Sequence, residues 1–269
     1  MTAATPPAMQ PPGNAATEVE AASVVLRGAP LPVATRIGLW IGVQLVVAGL
    51  MIASGAVPAG HALNAAAGWW IVYAGIVDLG TLGVLIWLIR RQGDRISYRG
   101  LLGPPAALWQ VGLGALGVLA ATVPAVVFST EVTKAFYGDA TLPMFAMVDV
   151  PVWASVFAVL VVPVLTELAE PVAYLGGLLP WLERRTGRSW LAAAAVVVIW
   201  GAEHAFAPFL TTDGGLDLVF AGYRVVSVLP FLAVWTALYY AFGRRVLPIM
   251  VARWVFNGGT ALAVALNLV

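Results

Sequence analysis

From residue 37 onward, the chain runs in apolar blocks of about 20 residues that are hydrophobic on every helix face, joined by short polar stretches. Blocks of this kind predict membrane-crossing helices and not the two-faced helices of a soluble domain. Seven spans fit, over residues 37–55, 68–89, 104–129, 151–182, 189–207, 217–242 and 246–268. The expected fold class is therefore all-α, a polytopic transmembrane helical bundle forming one domain over 35–269. Residues 1–34, rich in Ala, Pro, Thr and Gly, have no periodicity and read as a disordered cytoplasmic tail. No basic segment precedes a short apolar core near the start, so no secretory signal is expected. The chain shows no internal repeat and no inverted pair of broken helices.

Arginine placement orients the bundle. Arg27 and Arg36 precede span one; Arg90, Arg91, Arg95 and Arg99 follow span two; Arg184, Arg185 and Arg188 follow span four; Arg244 and Arg245 follow span six. With seven spans all of these lie on one side. The opposite loops carry Glu131, Asp139, Asp149, Asp213 and Asp217, with Lys134 their one basic residue. The positive-inside rule then places the N-terminus in the cytoplasm and the C-terminus outside, and the plasma membrane is the expected location. Span four is too long for a plain crossing and contains Pro163, Pro171, Pro180 and the pair Gly176-Gly177, so kinks are expected at each proline. The joint 130–150 reads as an amphipathic surface stretch through Phe136, Tyr137, Met144 and Phe145.

Composition narrows the chemistry. The chain is 61% hydrophobic with 10% charged residues, as a membrane protein requires. A net charge of +1 leaves no electrostatic footprint for nucleic acid. The absence of cysteine excludes disulfides, thiolate metal sites and a cysteine nucleophile.

Against this background the intramembrane polar residues stand out, because a charge at that depth costs several kcal/mol unless it finds a partner. Glu167 and Glu170, three apart, share a helix face. A buried carboxylate is a candidate general base for activating water, or a structural group that knits helices together. Glu203 and His204 end the apolar stretch of span five, pointing about 100° apart. Arg253 and Asn257 share a face of span seven. Arg253 demands an anion, with Glu170, Glu203 and Glu167 as candidates. Arg224 competes for the same carboxylates or snorkels outward. A rise of ~1.5 Å per residue puts Glu170 ~20 Å from Glu183, His204 ~24 Å from Arg188 and Arg253 ~12 Å from Arg245. These groups meet only if helices tilt or kink.

The stretch from Glu170 to Gly187, Glu-Pro-Val-Ala-Tyr-Leu-Gly-Gly-Leu-Leu-Pro-Trp-Leu-Glu-Arg-Arg-Thr-Gly, followed by Trp190, resembles the first signature of the CPBP intramembrane proteases. That family includes the type II CAAX prenyl proteases and Abi-type relatives linked to bacteriocin immunity. Its first motif reads Glu-Glu-x-x-x-Arg, its second Phe-x-x-x-His, and its third His followed four residues later by Asn or Asp. Trp200-Gly-Ala-Glu-His204 matches the second motif with Trp for Phe. Arg253-Trp-Val-Phe-Asn257, five residues after Pro248, matches the third in position. The likeness spans about 95 residues, within a core of about 150–265.

The resemblance implies an intramembrane endopeptidase acting on membrane-associated peptides or prenylated proteins. Glu170, His204 and Asn257 would be its catalytic residues, and Glu167, Glu203 and Arg253 binding residues. Its departures are Pro171 at the second glutamate, Leu175 at the motif arginine and Arg253 at the third-motif histidine. The family allows a divalent metal such as zinc. Arg253 cannot ligate one, so no cofactor is required on this reading. Glu203 or Glu167 could stand in for the lost carboxylate, and Arg253 for the lost arginine by pairing with Glu170. An arginine-paired glutamate is a poor base at neutral pH. Two other classes stay open: an immunity or scaffold protein whose polar residues only cement helices, and a small transporter using them as a proton or cation path.

Overall fold

A proline in the first turn opens helix α1, Pro30–Ala53, where its missing N–H and fixed φ do no harm. The helix then buries Val33, Arg36, Trp40, Gln44 and Ala48, a stripe of i, i+3 and i+4 spacing that contains both of its strongly polar residues. Leu45, Val46 and Leu50 on the other side are 50–65% exposed. Polar groups inside and leucine outside is the arrangement that lipid, not water, stabilises.

In the computed structural model, residues 25–93, 96–138, 151–212 and 215–265 are described. After α1 come α2 (Ala62–Ala67), α3 (Trp70–Gln92), the single turn α4 (Tyr98–Leu101) and the long α5 (Leu108–Tyr137). The fourth span is segmented into α6 (Val152–Leu160), α7 (Val162–Pro171), a π-helical stretch Val172–Leu178, and α8 (Leu179–Thr186). Helix α9 (Ser189–Glu203) runs into a 3₁₀ turn at His204–Phe206. A two-residue hairpin pairs β1 (Thr211–Thr212) with β2 (Gly215–Leu216), and α10 (Leu218–Ala241) and α11 (Leu247–Ala265) complete the order. The all-α bundle is as expected.

Among the described residues, six helical stretches are long and apolar enough to cross a membrane: Pro30–Ala53, Trp70–Gln92, Leu108–Tyr137, Val162–Thr186, Ser189–Phe206 and Leu218–Ala241. The chain is thus a multi-pass membrane protein. The seventh expected span is the 19-residue helix α11, which carries Arg253 and packs on α5 and α7. It is not among the six. Several boundaries move. The tail expected over 1–34 lies outside the described residues up to 24, but Leu26 and Ala29 are core residues, so the expected boundary at 35 falls inside α1. Helix α5 starts four residues later than expected, after Pro104-Pro105, and runs on to Tyr137. Phe136 and Tyr137 therefore belong to its last turn and pack on Tyr223 of α10, while Met144 and Phe145 lie outside the described residues.

From Val162 onward span four is the buried axis of the bundle, with 72% of its most apolar stretch buried against 22% for α1. Its prolines fall at the joints, as their missing N–H groups require: Pro163 in the first turn of α7, Pro171 at its end and Pro180 in the first turn of α8. The carbonyl of Leu168, one turn before Pro171, accepts a hydrogen bond from the Tyr98 hydroxyl. Burial pushes that phenol up to about 12, which keeps it a donor at physiological pH. In the π stretch, Gly176 lies against α4 so closely that a Cβ there would sit 2.4 Å from the Leu101 carbonyl oxygen. Only glycine allows this approach.

Candidate functional site

The break at α7 sets the site. With the end of α7 and the π stretch packed in the core, Glu167, Glu170 and Tyr174 point into the bundle interior together. They are spaced at i, i+3 and i+7, one face of a helix. Glu167, Glu170 and Glu203 are 3%, 6% and 1% exposed.

Arg253, from α11, clamps the two glutamates of α7. Its Nε donates to both oxygens of Glu167 at 3.0 and 2.9 Å, and its Nη2 to Oε2 of Glu170 at 3.1 Å. Asn257, one turn further along α11, donates from Nδ2 to Oε1 of Glu167 at 2.9 Å. The guanidinium lies 4.4 Å from the Trp235 ring centroid and 5.2 Å from that of Trp200, a cation–π setting that offsets part of its lost hydration. The indole N–H of Trp200 donates to the other oxygen of Glu170. Trp200 is stacked on Tyr174 at 4.7 Å, with the rings 5° from parallel.

A second clamp lies beside the first. Arg36, from α1, donates from Nε to Oε1 of Glu203 at 2.9 Å and from Nη1 to Oδ1 of Asp78 at 2.6 Å. Its Nη2 stands 3.5 Å from Oε2 of Glu170, which joins the two clamps. Glu203 also accepts from the Trp40 indole at 3.0 Å and from the Tyr174 hydroxyl. Asp78 takes a further bond from the Thr166 hydroxyl at 2.6 Å. Five helices, α1, α3, α7, α9 and α11, thus meet at one cluster, in which two guanidinium groups face four carboxyl groups.

Of the six residues singled out from sequence, Glu167, Glu170, Arg253 and Asn257 come together directly. Glu203 joins through Arg36. His204 opens the 3₁₀ turn, half-buried, and its Nδ1 donates to the Trp200 carbonyl at 2.9 Å instead of meeting a carboxylate. In the neutral ring this leaves the lone pair on Nε2. Leu175, at the motif-arginine position, is a fully buried core residue. Arg253 does pair with Glu170 in place of that arginine, but its closer partner is Glu167. Arg224 takes neither expected course: it is buried and donates to the Ala207 carbonyl at 2.5 Å.

Two central residues escape a reading by motif. Arg36 is not the flanking positive charge that its place before span one suggests; it is 2% exposed, because α1 begins seven residues before the expected span. Asp78, equally buried, belongs to no motif. The signals were present: a lone acid in the apolar helix Trp70–Gln92 demands a cation, and Arg36 falls in register with Trp40 and Gln44 on one helix face.

A divalent metal would need about three N or O ligands converging on it. Among the described residues no three His, Asp or Glu side chains form such a group. The carboxylate oxygens of the cluster already accept from guanidinium, indole, hydroxyl and amide donors, and arginine offers no lone pair of its own. The residues present do not fit a resident metal.

With this geometry in place, the match to a known family can be located. Residues 151–259 match the model of the Rce1-like family, described as type II CAAX prenyl endopeptidase Rce1-like. The matched segment, from α6 into α11, is thus similar to that family, and Arg36 and Asp78 reach it from helices outside the match. No curated protein and no solved structure matches the chain significantly.

Proposed function

We propose that this chain is a pseudo-protease of the CAAX-protease kind, which binds membrane-associated peptide or prenylated protein segments without hydrolysing them. The observation that carries this reading is the Arg253 clamp. A glutamate that activates water must offer it a lone pair as a base. Here Glu167 and Glu170 spend their oxygens on Arg253, Asn257, Trp200 and Arg36. The guanidinium stands where the family's third-motif histidine would be, and His204 faces a backbone carbonyl. Among the described residues the buried Nη1 of Arg253 has no hydrogen-bond partner, which supplies a donor for a bound peptide carbonyl. No cofactor is required. The bilayer is the first partner. The arginine-rich end and the N-terminus face the cytoplasm of the plasma membrane, with α11 ending outside; Arg36 drops out of that orientation count, but the remaining arginines keep its sign.

The test compares new peptide termini in membranes from cells expressing wild type or the Glu170→Ala/His204→Ala variant at equal levels. Indistinguishable terminal profiles are expected. Cleavage products present with wild type and missing with the variant would overturn the reading and name a substrate.

A further inference from the structure

The buried cluster is short of positive charge. Arg36 and Arg253 face Asp78, Glu167, Glu170 and Glu203, two guanidinium groups against four carboxyl groups, all with side chains no more than 8% exposed. Two of the carboxyl groups would have to take up protons to make the cluster neutral, and three to make it positive. Counting Arg224 of α10, which is buried on the Ala207 carbonyl, still leaves the carboxyl groups ahead by four to three. The residues outside the described ones carry one basic group, Arg95, in the arginine-rich connection after α3. Building on the peptide-binding reading above, we propose that the cluster admits an uncharged carbonyl, as in the interior of a peptide, and turns away a free C-terminal carboxylate.

Three observations carry the inference. First, among the described residues Nη1 of Arg253 is a buried donor without a partner, on a residue 4% exposed. Its other two nitrogens are spent on Glu167 and Glu170. A buried N–H costs free energy until an acceptor reaches it, and a peptide carbonyl is such an acceptor. Second, the surroundings favour a neutral acceptor. The charge of Arg253 is already matched by Glu167 at 2.9 Å and Glu170 at 3.1 Å. An incoming carboxylate would meet these like charges at short range in a low dielectric. The rings of Trp235 and Trp200, 4.4 and 5.2 Å from the guanidinium, present faces whose quadrupole also repels an anion. Phe231 continues the aromatic wall, 5.9 Å from Trp235 and 5.7 Å from Phe256. Third, the site reaches the surface along α11. Asn257, one turn after Arg253, is half-buried, and Gly259 is exposed. Among the described residues, a Cβ at Gly258 would meet nothing within 4 Å, which leaves room for a peptide backbone beside Asn257.

The experiment uses the full chain in detergent micelles at neutral pH and two probes, N-dodecanoyl-valyl-leucine as its C-terminal amide and as its free acid. Both are too short for the terminal group to lie far from the carbonyl that meets Arg253. Binding is read by titration calorimetry, after subtracting the partition of each probe into empty micelles. The amide should bind roughly tenfold more tightly than the acid, or better. Glu167→Gln keeps the side-chain size and removes one negative charge, and it should narrow that preference roughly threefold. Thermal unfolding checks the fold of this variant, and Glu203→Gln takes its place if it does not fold. Equal or tighter binding of the acid would overturn the inference and leave the peptide-binding reading standing. An amide preference unchanged by the loss of a carboxylate charge would also overturn it, by placing the discrimination outside the cluster. Binding of neither probe would instead overturn the peptide-binding reading, and the inference with it, leaving Nη1 as a donor to water.

Discussion

Arg36 and Arg253 are both under 5% exposed and both bond carboxylates at membrane depth, yet they hold the bundle in different ways. Arg253 ties α11 to two glutamates of one helix, α7. Arg36 ties α1 to three other elements at once, through Asp78 of α3, Glu170 of α7 and Glu203 of α9. Removing Arg253 leaves one carboxylate, Glu167, without a cation, because Glu170 keeps Arg36, whereas removing Arg36 leaves two, Asp78 and Glu203. The lesson is that the residue standing at a motif position is not the one on which the site most depends. The supporting arginine, from a helix outside the family match, has more to lose.

The largest effect should come from Arg36→Met. It leaves Asp78 and Glu203 buried without a cation, and losing one partner of a buried pair costs about 3–5 kcal/mol. Denaturant unfolding in micelles measures this; a loss under about 1 kcal/mol would dissolve the distinction between the two arginines. A smaller loss, about 2–3 kcal/mol, is expected for Arg253→His, which restores the family's third-motif residue but leaves Glu167 on Asn257 and Glu170 on Trp200 and Arg36. If Arg253→His proves as damaging as Arg36→Met, the clamps are equivalent. Tyr174→Phe removes one charge-assisted bond to Glu203 and should cost about 1.5–3 kcal/mol. The same method, with Trp40→Phe as its companion, shows whether Glu203 depends on its neutral donors. The smallest change is expected for Asn257→Ala, about 1 kcal/mol, because the half-buried amide makes one of the three hydrogen bonds to Glu167 and Arg253 makes the other two. A loss above about 3 kcal/mol would make α11, and not α1, the main support of the site.

The contrast between the arginines is also a contrast in what sequence reveals. Span four declared its breaks, because a proline removes a hydrogen bond wherever it falls, and Pro163, Pro171 and Pro180 all lie at segment joints. Glu167, Glu170, Arg253 and Asn257 were legible for a related reason: i, i+3 and i+4 spacing places them on faces, and a motif gave their order. What spacing cannot supply is a partner on another helix. Asp78 and Arg36 are 42 residues apart in sequence, and nothing local in either helix names the other. The positive-inside rule also misled at Arg36, since it treats an arginine at the edge of an apolar block as solvated. The π stretch at Val172–Leu178 has no reliable local signature either. It depends on Pro171 and on the contact of Gly176 with Leu101, which is tertiary.

The central claim is that Glu170 is a structural carboxylate, held by two arginines and an indole, and not a base. Glu170→Gln tests it most directly, because the amide keeps the size of the side chain and removes its charge. Unfolding in micelles and the peptide termini generated in membranes should be read on the same variant. The account predicts a clear loss of stability, about 2 kcal/mol or more, with unchanged termini. Full stability with the loss of a cleavage seen in wild type would contradict it and make Glu170 catalytic.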